Sequence, residues 1–95
     1  MSITRINPKP TISEATRSGT STTVNANSST GRQYIALPSG VSKDKVVFLT
    51  VYSNSIYVIP FNIGFSGNNV AFNLRNMASS SVTATPDAVV RYLDA

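Results

Sequence analysis

Apolar and polar positions divide the chain near residue 30. Before that point apolar residues are sparse and show no steady period; after it they recur with the two-residue repeat of β-strands. "RQYIAL" (32–37) sets Tyr34 and Ala36 on one face, and Gln33, Ile35 and Leu37 on the other. Pro38, Ser39 and Gly40 read as a turn. "KVVFLTVY" (45–52) is dense in β-branched and aromatic residues and is the strongest strand signal. Ser53-Asn54-Ser55 turns, and "IYVIPF" (56–61) is a second strong strand. Pro60, which has no N–H to donate, marks an edge or an end there. "NIGFSGNN" (62–69) reads as a glycine-containing loop. In "VAFNLRN" (70–76), Val70, Phe72 and Leu74 point inward, and Ala71, Asn73 and Arg75 outward. "MASSS" turns, and "VTAT" and "AVVRYL" form a last strand or strand pair interrupted at Pro86. About six to seven short strands with no long helical period predict an all-β fold, a small antiparallel barrel or sandwich.

The first part of the chain is harder to place. Asn7-Pro8-Lys9-Pro10 is extended or turn-like. "TISEATRSG" (11–19) has room for one helical turn, but Ile12 and Ala15 are too few to define a helix. The Ser/Thr/Asn/Gly-rich stretch after it is an extended arm or a short polar strand around Thr22 to Ala26. The expected division is an extended or disordered arm over 1–20 and one head-like domain over 21–95. Ile3, Ile6 and Ile12 are the residues by which such an arm would anchor on a neighbour.

Two strands are apolar on both faces. In 45–52, Val47, Leu49 and Val51 oppose Val46, Phe48 and Tyr52. In 56–61, Ile56 and Val58 oppose Tyr57, Ile59 and Phe61. Antiparallel sheets usually bury one face and wet the other. A 95-residue chain has a small core, and small cores gain from association. The expectation is a homo-oligomer with Val46, Phe48 and Tyr52 at the interface; the other reading is that barrel curvature and the arm cover the second face.

Composition narrows the chemistry. Only 13% of residues are charged, so Ser, Thr and Asn supply the polar surface. Histidine and cysteine are both absent. Their absence removes the commonest general base, the thiolate nucleophile and the usual zinc ligands. The acids are Glu14, Asp44, Asp87 and Asp94, spread over arm, turns and terminus rather than paired as glycoside hydrolysis requires. No serine stands in a nucleophile elbow, and no glycine loop has phosphate-binding spacing. The expectations are no enzyme, no catalytic residues, no cofactor and no metal.

The net charge of +4 comes from eight scattered cations, of which only Lys43 and Lys45 are near neighbours. Nucleic-acid grooves want clustered cations interleaved with aromatics, so no nucleic-acid partner is expected. No run approaches the roughly 20 apolar residues of a membrane helix, and "MSITRINPKP" lacks a signal-peptide core. Asn27-Ser28-Ser29 fits a glycosylation sequon, a pattern short enough to arise by chance. A saccharide site remains open on Tyr57, Asn68, Asn69, Asn73 and Arg75, with Tyr92 as another aromatic; the competing reading makes these half-buried strand and turn residues.

The closing stretch also resembles a known family. Val70, Leu74 and Asn76, then Ser79-Ser80-Ser81, then Val90-Arg91-Tyr92-Leu93 resemble the C-terminal head domains of tail fibre and receptor-binding proteins of siphophages that infect Gram-positive bacteria. The resemblance covers about the last 45–50 residues. It implies a β-barrel that trimerises, often on host cell-wall saccharides, with a final strand closing the barrel. It implies no universal ligand motif, so no binding residue is carried over. The chain is too short for the shoulder and neck that precede such heads.

The functional expectation is a non-enzymatic phage tail or baseplate appendage protein, favoured as a homotrimer. It would be made in the host cytoplasm and carried on the virion. Its partners would be other tail proteins and host-surface saccharide, with no membrane insertion. The alternatives are a free-standing carbohydrate-binding module and, more remotely, an OB-like nucleic-acid binder.

Overall fold

The computed structural model describes residues 11–94. Apart from one 3-10 turn at Lys43–Lys45, every regular element is a β-strand. The strands are β1 (Ile12–Ser18), β2 (Thr22–Val24), β3 (Gln33–Ala36), β4 (Val46–Ser53), β5 (Val58–Ser66), β6 (Asn69–Asn76), β7 (Val82–Ala84) and β8 (Pro86–Leu93). They form two three-stranded antiparallel sheets, β1-β8-β4 and β3-β6-β5, and a two-stranded ribbon, β2-β7. The fold is thus the expected small all-β barrel or sandwich.

One apolar cluster lies between the sheets. β6 supplies Val70, Phe72 and Leu74, all fully buried, as the alternation requires. Ile35 and Leu37 join from β3 and its exit, Val51 from β4, and Val58 from β5. Ala88 and Val90 come from β8, and the ribbon adds Val24 and Ala84. Gly19 sits where β1 gives way to β2. A Cβ there would meet the Pro86 Cγ at 3.0 Å and the Ile35 Cδ1 at 3.1 Å. The absence of a side chain lets the chain bend against Pro86 as it passes from sheet to ribbon.

Asn76 closes one end of the core. It is fully buried, and its Nδ2 donates to the carbonyls of Val24 (3.0 Å), Asn25 (3.3 Å) and Ser80 (2.9 Å). Its Oδ1 accepts from the Ala78 N–H at 2.8 Å. One amide thereby ties the turn after β2 to the turn after β6. The residues that carry the family resemblance therefore serve the fold: Val70 and Leu74 pack the core, and Asn76 holds the serine turn.

Three expectations change. Residues 12–18 of the expected arm are β1, paired along its length with β8 from Ile12↔Leu93 to Ser18↔Asp87, so the domain starts well before residue 21. β1 is a polar edge strand whose ladder bonds hold it, and a strand with so little buried surface leaves no apolar period to read. The same pairing excludes a helical turn there. Ile3 and Ile6 lie outside the described residues.

The second change concerns 62–69. β5 runs on to Ser66, and only Gly67 and Asn68 turn. Gly67, at φ 59, takes the first central position of a two-residue hairpin turn, which demands positive φ. A bulge between Phe61 and Gly64, with Asn62 at φ 55, hid the strand by breaking its alternation.

The third concerns Val46. Val46 pairs with Tyr92 and Phe48 with Arg91, so Val47 is an extra residue in a bulge. The bulge resets the phase of β4. Val46 packs against the core beside Leu49, and Val47 is exposed. Val46 therefore does not share an outer face with Phe48 and Tyr52.

Candidate functional site: the outward face of the β3-β6-β5 sheet

Register sets which side chains share this face. Asn76 and Leu74 point inward, so Met77, Arg75, Asn73, Ala71 and Asn69 share the other phase at the centre, although Ala71, expected outward, is fully buried. Tyr57, just before β5, and Ile59 and Phe61 within it lie beside them, opposite Met77, Arg75 and Asn73 in turn. Tyr34 on β3 faces Ala71 from the other side. Tyr34, Tyr57, Ile59, Phe61 and Met77 are between 40% and 57% exposed. Taking about 200 Å² for a large side chain, they present on the order of 500 Å² of mainly apolar surface. That is toward the upper end of the largest patch on an ordinary monomer, about 300–600 Å².

A polar staple fixes one flank. Asn73 Oδ1 accepts from the Arg32 guanidinium at 3.0 Å and from Asn62 Nδ2 at 3.4 Å, and its Nδ2 donates to the Thr30 carbonyl at 3.1 Å. Arg32 also donates to the carbonyl of Asn62. The staple holds the β5 bulge against the approach to β3. Arg75 reaches Ser29 Oγ at 3.4 Å.

The five residues of the expected saccharide site separate into two groups. Tyr57, Asn73 and Arg75 lie toward one end of the outward face, whereas Asn69, in the same phase, and Asn68 stand at the β5–β6 hairpin, roughly 25 Å from the Tyr57 row at about 3.3 Å per residue. Asn73 spends both lone pairs of its amide oxygen, and one of its amide protons, inside the protein. It is a structural group. Ile59 and Met77, which fill the face between the aromatics, offer a sugar no hydrogen bond.

Of the expected interface residues, Phe48 and Tyr52 are exposed on the outer face of the other three-stranded sheet. Phe48 already has an internal partner: the Arg91 guanidinium lies 5.1 Å from its ring centroid, and Arg91 Nε pairs with Glu14 Oε2 at 3.1 Å. Glu14, Arg91 and Phe48 thus form one row across β1, β8 and β4.

The remaining acids sit apart in the fold. Asp44 is in the 3-10 turn, and Asp87 pairs with Ser18 and Tyr52. Asp94 accepts from Ser13 Oγ at 2.5 Å. Among the described residues no three His, Cys, Asp or Glu side chains converge as a metal site would require. Among the described residues no helix is long and apolar enough to cross a membrane.

The sequence already sets Tyr57, Ile59 and Phe61 on one face against Ile56 and Val58; the burial of Val58 decides that the Tyr57 face is the outward one.

Comparison with models of known protein families, with curated proteins and with solved structures finds no match to this chain.

Proposed function

We propose that this chain is a non-enzymatic assembly protein of a phage tail or baseplate appendage, acting by protein contact through the outward face of the β3-β6-β5 sheet. One observation carries the assembly reading: Tyr57, just before β5, and Ile59 and Phe61 within it stand at two-residue spacing and are large, apolar and exposed. Burying such a column releases on the order of 25 cal/mol for each Å² removed from water. A solitary domain gains nothing from displaying it. The placement on a phage tail rests on the resemblance of the 70–93 segment. With it come other tail proteins as partners and the virion as the location.

A second reading, host-surface attachment, is favoured by the Asn68-Asn69 pair at the exposed hairpin, where uncharged polar groups stand clear of the apolar face. Retention on isolated Gram-positive cell walls, at low and moderate salt, tests that branch. Peptide mass spectrometry of phage particles, purified from a lysate of a strain that encodes the chain, tests the leading one. Peptides that stay with tails through density-gradient purification are expected. Their complete absence from intact particles refutes a virion role.

A further inference from the structure

We infer that the outward β5 face is where a second copy of this chain docks, face against face, and that the β4 face is not the interface. The inference rests on the assembly reading above and adds the occupant and the mode of contact.

Edge-to-edge pairing beside residues 57–61 is hindered by the local bonding. Met77 N–H donates to the Tyr57 carbonyl at 2.8 Å. In an antiparallel ladder successive residues direct their bonds to opposite sides. The Tyr57 carbonyl, Ile59 and Phe61 therefore bond toward the β6 side, the Tyr57 N–H being taken by Ser55 Oγ at 3.2 Å, while Val58 and Pro60 turn their groups to the free edge. The Asn76 N–H, directed away from β5 to the Ser28 carbonyl at 2.9 Å, fits the same phase. At that edge Val58 is already satisfied: its N–H donates to the Ser55 carbonyl at 3.3 Å, and its carbonyl accepts from Ser53 Oγ at 2.6 Å. Pro60 has no N–H. An incoming strand would find neither donor there, which is how natural edges resist strand addition. Along residues 57–61 the apolar side chains are thus more readily covered from the face than by an added strand.

The face suits a copy of itself. Its apolar part exposes on the order of 500 Å², and the polar rim of Ser29, Arg32, Asn73 and Arg75 brings it near the roughly 800 Å² that each partner buries in a standard interface. The apolar column contains no charged side chain. Foreign partners are selected and steered largely by charge, whereas homo-oligomer interfaces are the more apolar class. On the β4 side, Phe48 is exposed but stacks with the Arg91 guanidinium, and Arg91 is held by Glu14, so docking there would strip an ion pair of its solvent.

The test is the solution mass of the full chain by light scattering at about 10–100 µM, for wild type, Ile59→Asp and Phe48→Asp. A dimeric wild type is expected in place of the trimer expected from the sequence, because a face that meets its own copy closes at two. Ile59→Asp should weaken association by at least about tenfold, since its carboxylate and the cross-strand Arg75 guanidinium must both be desolvated in the interface. Phe48→Asp should keep the wild-type mass. Ile59→Thr, which keeps the β-branched shape, stands in if the Asp variant fails to fold, and a smaller loss in the same direction is expected from it. Raising the salt should leave association intact or tighten it, because it screens the +4 charge of each copy. A monomeric wild type, an oligomer that survives both Ile59 substitutions, or one broken by Phe48→Asp overturns the inference. A monomer still found on purified tails defeats this inference alone. An oligomer with the expected mutational pattern but absent from particles defeats only the tail assignment.

Discussion

Asn76 offers the sharpest test of how this small domain is held together. In Asn76→Ala the carbonyls of Val24, Asn25 and Ser80 and the N–H of Ala78 lose their side-chain partner. Three of the four bonds are 3.0 Å or shorter, and the Asn25 bond at 3.3 Å counts for less. A net hydrogen bond contributes about 0.5–1.5 kcal/mol, and a buried group left unpaired costs about 1–3 kcal/mol. Water entering from the adjoining turns recovers part of this, so the expected loss is about 3–4 kcal/mol. Against a total of roughly 5–15 kcal/mol, that is a large share. For a domain of this size it lowers Tm by about 12–30 °C, at about 4–8 °C per kcal/mol. Urea unfolding followed by circular dichroism measures it, with an unchanged slope as the sign that the unfolded state is unaltered.

A companion variant separates hydrogen bonding from volume. Asn76→Asp keeps the shape but points a carboxylate at three carbonyl oxygens. Its folded pKa must lie above the unfolded value of about 3.9. The folded variant then binds its proton more tightly than the unfolded chain, so its stability relative to wild type falls as pH rises above about 4 and is partly recovered on acidification. A loss below about 1 kcal/mol for Asn76→Ala, or an Asp variant indifferent to pH, refutes the view that this amide locks the two turns.

Other outcomes follow from single contacts. Gly19→Ala should lose about 1–3 kcal/mol by overpacking against Pro86 and Ile35, whereas Gly31→Ala, where a Cβ meets nothing within 4 Å, should be neutral or gain up to about 1 kcal/mol; thermal melts of the pair check this. Glu14→Gln should cost less than about 1 kcal/mol in urea unfolding, because both partners of its ion pair with Arg91 are half exposed. Trypsin should cut after Arg17 no faster than the domain unfolds, since Arg17 lies in β1 opposite Ala88; rapid cleavage there would show that β1 is not paired in solution.

Fold class and most of the core were legible in the sequence. Val70, Phe72 and Leu74 alternate without interruption, Ile35 and Leu37 share a phase, and apolar β-branched runs flanked by Pro, Gly and Ser leave little but short strands to form. These are local properties, carried by the two-residue period of a strand. Three things depended on the tertiary structure. β1 has almost no apolar signal, and only the presence of β8 gives its backbone bonds a destination. The bulges at Val47 and at Asn62-Ile63 shift phase by one residue; periodicity cannot reveal such a shift, because each half of the strand still alternates. Asn76 reads in sequence like any strand-end asparagine, and it becomes a lock only where turns from distant parts of the chain converge on its amide. The outward column of Tyr57, Ile59 and Phe61 belongs to both levels. Its spacing is local, but its exposure follows from Val58 facing the core and from Ser53 and Pro60 closing the edge, contacts that exist only once the sheets have formed.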